Sequence, residues 1–362
     1  MNSVADSMRY AGARGFSLVE LMVSSAIGLI VLVGVTYAYL GNRETYVLNE
    51  EMARMHESAR VAMDSMGRDL RVASFIGCKP RPEAVQNRSG VNLDVKSWVA
   101  EGIRVRAAGA VAGLDGKKPQ LQVFGSMGGV AQVNAAEFST NADEIRVSGG
   151  VTAHRLEEHF AGASSRLAVI SDCDKAYVFK PDAVSIPADR TQTGTIKTTF
   201  SAAPGEGTIG EGVFGRGAQV FALPVNTAGA PLNIYDMRDS GRKDLLGNAI
   251  YSLFHNGAEL IEGVEAFRVC VGGDGISGAH GLKPWHEVAA EEWKKAEVVQ
   301  IDLVLRSIRP RVLPEKVAPR ITLCGDALPL EITADRRLRR LFSTSVALRN
   351  KLGEVTRAED EK

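Results

Sequence analysis

Residues Phe16 to Leu40 read FSLVELMVSSAIGLIVLVGVTYAYL, and this apolar run constrains the 362-residue chain more than any other feature. As a helix rising about 1.5 Å per residue it exceeds the roughly 30 Å hydrocarbon core of a bilayer. Arg9 and Arg14 precede it against a single Asp6, while Arg43, Glu44, Glu50 and Glu51 follow. The positive excess predicts a cytoplasmic N-terminus with the bulk of the chain across the membrane. A cleaved secretory signal needs an apolar stretch of only about 7–15 residues and a small-x-small site. Here the nearest such site, Thr36-Tyr37-Ala38, lies inside the run, with Tyr39 and Leu40 after it.

Further along, Leu48, Met52, Met55, Ala59, Ala62, Met66, Leu70 and Ala73 recur three or four positions apart, the period of an amphipathic helix. No proline interrupts 16–79, so the two stretches are expected to form one long helix ended by Pro80 and Pro82. Its stripe is rich in alanine and methionine, which favours packing on the chain's own head over a leucine seam.

The remainder fits a β-rich head. Short β-type runs occupy 103–106, 120–124, 144–147, 167–170, 176–179, 220–223, 250–254, 266–271 and 298–306, separated by glycine, proline, asparagine and aspartate. In the last of them Val299, Ile301, Leu303 and Leu305 alternate with polar Gln300 and Asp302. Thirty-seven glycines and 6% aromatics agree with a turn-rich β protein. The expected class is α+β, a long N-terminal helix packed on an antiparallel sheet with long loops at 108–118, 181–216 and 272–296. Lysine plus arginine and aspartate plus glutamate both number 43, so no global field steers the chain toward nucleic acid.

Cys78, Cys173, Cys270 and Cys324 include no CxxC pair, which disfavours a zinc ribbon or a thioredoxin-type site. On the oxidising side of a membrane an even number suggests two disulfides. Three connectivities are open, and buried free thiols are the alternative. The pairing expected here is Cys78 with Cys173, tying the helix end to the sheet, and Cys270 with Cys324.

Several patterns that resemble chemistry fail in context. Gly273-Asp274-Gly275-Ile276-Ser277-Gly278 fits GxGxxG, yet Ala279, Gly281 and Pro284 stand where a helix should begin. His154-Arg155-Leu156-Glu157-Glu158-His159 loses the i, i+4 spacing of a zinc protease and reads as a solvated charged turn. Arg336, Arg337, Arg339, Arg340 and Arg349 form one basic cluster, read as a solvated face, with DNA or another anion as the minority alternative. No metal, cofactor or catalytic constellation is expected.

Glu20 stands out, because an acid within a membrane helix costs about 2–3 kcal/mol. It either snorkels to the interface or has a role. Arg14-Gly15-Phe16-Ser17-Leu18-Val19-Glu20, ahead of the long apolar run, resembles the class III signal of type IV prepilins and type II secretion pseudopilins. The resemblance implies cleavage between Gly15 and Phe16 by a prepilin peptidase, N-methylation of Phe16, and pairing of Glu20 with the Phe16 amine of a neighbouring subunit. VISDCDKAYVF, LIEGVEAFRVCVGGDG, VVQIDLVLRS and DRRLRRLFSTSVALRNKL are similar to stretches of the PilW family of type IV pilus assembly proteins, which are minor pilins. EGVEAFRV is also similar to the J-type minor pseudopilins.

The implied organisation is a leader at 1–15, a transmembrane half-helix at 16–40, an amphipathic half at 41–77, a periplasmic head at 78–350 and a flexible tail at 351–362. The implied role is to prime type IV pilus assembly near the tip, supporting motility, adhesion or DNA uptake. Expected partners are other minor pilins, the major pilin, the inner-membrane assembly platform and, before assembly, the lipid bilayer. The alternatives are a secretion pseudopilin and a tip subunit that binds a surface or DNA.

Overall fold

The computed structural model describes residues 17–77, 82–108, 118–125, 127–133, 137–139, 144–160, 166–201, 213–215, 217–226, 233–276, 278, 281–326 and 328–351. The chain divides into two units, Met1–Met52 and Ala53–Lys362.

The first unit is helical. Helix α1 runs Leu18–Arg71, and from Leu18 to Leu40 its large apolar side chains are 47–74% exposed. Apolar surface on every side of a helix belongs in lipid or a packed interior. By length and composition the helix can cross a membrane.

In the second unit, Met55, Ala59, Ala62, Met66 and Leu70 form the buried stripe of α1. The helix ends six residues before the expected 77. Ser74 takes a left-handed φ of 62° and donates its backbone N–H to Phe124 O at 2.8 Å. Gly125 lies so close to the Val72 carbonyl that an added Cβ would meet it at 2.0 Å. Asn350 Nδ2 then donates to Ala73 O at 2.9 Å and to Arg71 O at 3.4 Å. Capture of this turn by the head, not proline, stops the helix.

The head follows in chain order as β1 (Val85–Asn87), helix α2 (Val95–Glu101), β2 (Ile103–Ala108), β3 (Lys118–Val123), β4 (Met127–Gln132), β5 (Glu137–Ser139) and β6 (Glu144–Ser148). Next come helix α3 (Val151–Phe160), β7 (Arg166–Ser171), β8 (Ala176–Phe179), β9 (Pro181–Ser185), β10 (Thr193–Thr198), β11 (Val213–Gly215) and β12 (Gln219–Asn226). The last part holds β13 (Ile234–Lys243), β14 (Ala249–His255), β15 (Ala258–Glu262), β16 (Val264–Gly272), β17 (Lys283–Pro284), β18 (Val298–Arg306) and β19 (Arg339–Ala347). Sheets β15-β14-β13-β3-β2 and β17-β16-β18-β19 share one core with the α1 stripe. Sheet β1-β8-β7-β12-β4 packs with α2 on one side and with α3 and sheet β6-β10-β9 on the other. Strands β11 and β5 form a separate pair. Among the named strands pairing is antiparallel apart from β1 on β8.

The α+β class is borne out. Two local readings are corrected. The segment 181–216 contains β9, β10 and β11; in β10 a polar, threonine-rich sequence hides the alternation, since only Ile196 is apolar although Gly194 and Thr198 are buried too. Residues 154–159 lie in α3, not in a turn. Its Ala153 and Leu156 are buried, while His154 Nδ1 meets Ile186 O at 2.7 Å and Glu157 accepts from Ile186 N at 2.6 Å. One turn of helix thereby satisfies both backbone groups of Ile186.

Candidate functional site

Gly15 and Phe16 lie outside the described residues, so the site begins at Ser17. Ser17 Oγ accepts from Val19 N at 3.4 Å, and Glu20 Oε2 accepts from Ser17 N at 3.1 Å. Ser-x-x-Glu is a capping box: the carboxylate reaches back to an orphan donor at the helix start and sits favourably at the positive end of the helix dipole. The other oxygen, Oε1, has no partner among the described residues and is available to a cation. The S-x-x-E spacing was visible in the sequence as a helix-start signal separate from the prepilin resemblance.

The cysteines match the expectation where they are described. Cys270 on β16 bonds Cys324, with Cα atoms 6.1 Å apart and a sequence separation of 54. Closing a loop of that size contributes about 4 kcal/mol in the chain-entropy treatment. Cys173 is also disulfide-bonded. Cys78 lies outside the described residues.

The arginine cluster is corrected. Arg337 is buried, donates through Nη1 to Ser307 O at 2.9 Å and Ile308 O at 2.8 Å, and pairs through Nη2 with buried Asp244. Arg339 is buried between Glu265, at 2.6 Å, and Asp335. Arg336 Nε donates to Leu313 O at 2.6 Å. Arg340 and Arg349 are the exposed members. Pairing with internal carboxylates and carbonyls engages Arg336, Arg337 and Arg339, so the five arginines do not form one solvated face. Lys351, expected to open the tail, is likewise buried, with Nζ donating to Glu101 O at 2.8 Å and Trp293 O at 2.7 Å.

The glycine-rich segment at 273 is a tight turn in which Ile276 N donates to Gly273 O at 3.0 Å. Among the described residues no group of three or more His, Cys, Asp or Glu is placed to hold a metal.

The described residues combine a membrane-length apolar helix opened by an acidic capping box with an antiparallel β head packed on the amphipathic stripe at 55–70. Residues 237–350 match the family of type IV pilus-assembly protein W, and residues 11–36 match the prokaryotic N-terminal methylation motif. Both resemblances read from the residues are borne out by these matches. No curated protein and no solved structure matches the chain.

Proposed function

We propose that this chain is a non-enzymatic minor pilin, inserted in the inner membrane with its N-terminus cytoplasmic and head periplasmic, then processed and incorporated into a type IV pilus. The observation that carries this reading is the joint presence of a methylation motif at 11–36 and a pilus-assembly segment at 237–350 on one chain. Cleavage after Gly15 creates a cationic amine on Phe16. Glu20, at the helix start with Oε1 unpartnered among the described residues, supplies the opposite charge to that amine on a neighbouring subunit, where low dielectric favours only paired charges. The chain then primes assembly near the tip with other minor pilins and the assembly platform.

Sequencing the mature N-terminus tests the processing step. Methylated Phe16 is expected; an intact leader in cells with active prepilin peptidase, or an N-terminus at Tyr39, overturns the reading. The pseudopilin alternative, favoured by EGVEAFRV, is separated by deleting the gene: loss of pili supports the pilus role, and loss of protein secretion with pili intact replaces it.

A further inference from the structure

Nearly every sheet edge in the head is blunted. Edge strands β1, β5 and β11 have three residues each, and β17 has two, one of them Pro284. Arg104 and Arg106 mark β2, Glu259 and Glu262 mark β15, Glu144 and Arg146 mark β6, and β9 opens with Pro181-Asp182. Edge strand β4 contains Gly128-Gly129 and a register shift against β12. These are the usual devices that keep an edge from pairing with another chain.

Strand β19 has none of them over most of its length. It is the outermost strand of its sheet and pairs with β18 over all nine residues without a register shift. Leu341 to Ala347 reads LFSTSVA, free of charge, proline and glycine. In an antiparallel ladder every second residue turns its N–H and C=O away from the partner strand. Among the described residues, the outward groups of Leu341–Val346 have no hydrogen-bond partner. Phe342 and Val346 face α1, where the His56 ring lies 5.2 Å from Phe342, while Leu341, Ser343, Ser345 and Ala347 are exposed on the other face. At the start of the run stands Arg340, exposed and without an ion pair among the described residues.

We propose that the free edge of β19 takes an extended segment of another polypeptide by strand addition. Backbone hydrogen bonds along the edge supply affinity, and the incoming strand is uncharged where it faces Leu341–Ala347 with an acidic group opposite Arg340. A strand carrying lysine or arginine at that end meets Arg340 and is disfavoured. This inference stands independently of the pilus reading, because it rests on the edge alone.

The test places a photo-crosslinking residue, p-benzoylphenylalanine, singly at Leu341, Ser343, Ser345 and Ala347 of the full chain in the cells that make it, followed by sequencing of the crosslinked peptides. Strand addition predicts that each two-residue step along β19 moves the crosslink by two residues, in one direction, along a single partner segment. In the Ser343→Lys/Ser345→Lys background, crosslinking from 341 and 347 should fall about tenfold. Membrane level and the Cys270–Cys324 bond should be unchanged. Absence of crosslinks, crosslinks without the two-residue advance, or yields unaffected by the lysines in a folded chain overturn the proposal. If the lysine variant does not fold, the advance along the partner decides alone.

Discussion

Tyr235 on β13 donates its hydroxyl to the carboxylate of Asp69 on α1, and Ser65, one turn earlier, completes the group by donating to the Tyr235 oxygen at 2.9 Å. The phenol is fully buried, and burial together with Asp69 pushes its pKa above the ordinary phenol range. A neutral phenol bonded to a carboxylate is worth about 1.5–3 kcal/mol. Tyr235→Phe keeps the ring and its stacking on His255, 4.2 Å away, and removes only the hydroxyl. Thermal unfolding of the full chain in detergent should show a loss of about 2 kcal/mol, or several degrees in Tm. An unchanged Tm means the helix is held to β13 by apolar packing alone.

Two histidines make stability depend on pH in the same direction. Burial lowers the pKa of His255, with Asp69 opposing; burial and then Arg166 lower that of His159, with Glu158 opposing. As pH falls through the unfolded value of about 6.5, the unfolded chain binds these protons before the folded chain does. Stability is therefore full above that value and declines as pH drops toward the native pKa values. Denaturant unfolding between neutral and mildly acidic pH should show the decline, and replacing both histidines with glutamine should flatten it. A slope that survives the replacement assigns it to other groups.

Asp244 and Arg337 form a buried pair whose other bonds are also satisfied. Burial raises the Asp244 pKa, but bonds from Leu246 N at 2.7 Å, Asn248 N at 3.1 Å and the Arg337 guanidinium prevail and hold it below the usual carboxylate range. Removing one member strands the other in a desolvated site. Arg337→Met should therefore cost about 3–5 kcal/mol, and the double variant with Asp244→Asn should cost less than the sum of the single changes. Additive losses would show that the pair contributes through its separate backbone bonds.

The parts of this molecule that were readable in advance share a physical cause. Burial imposes period on a sequence, so the α1 stripe and the Val299, Ile301, Leu303, Leu305 face of β18 were plain. Where both faces are covered the signal fades: Asp302, placed on the polar side by alternation, is buried and accepts from Cys324 N at 2.6 Å. Strand β13 was missed because Asp236, Arg238 and Asp239 interrupt its apolar positions, while its partner β3 is distant in sequence. The arginine cluster misled for a related reason. Of its carboxylate partners only Asp335 adjoins it, while Asp244 and Glu265 come from segments far from 336–340, so linear charge counting could not see most of the neutralisation. At the N-terminus the contact of Glu20 with Ser17 spans three residues, so the Ser-x-x-Glu spacing carried it, although Glu20 was read from the sequence only as an acid in an apolar run and part of a prepilin-like signal.

The capping box gives Glu20 two separable tasks, and substitution can divide them. Glu20→Gln retains an oxygen that accepts from Ser17 N but removes the charge; Glu20→Ala removes both. Loss of an exposed cap costs a helix terminus about 1 kcal/mol, small against insertion of a long apolar run, so both variants should reach the membrane at normal levels. If the carboxylate pairs with the Phe16 amine of a neighbour, Glu20→Gln should impair incorporation into the fibre nearly as much as Glu20→Ala, because a neutral amide leaves the buried cation unpaired. If Glu20 serves only the helix start, the glutamine variant should assemble like the natural chain while alanine is weakened. Quantifying the protein in sheared pili against the membrane fraction distinguishes the outcomes, and normal incorporation of the glutamine variant removes the assembly role assigned to the charge.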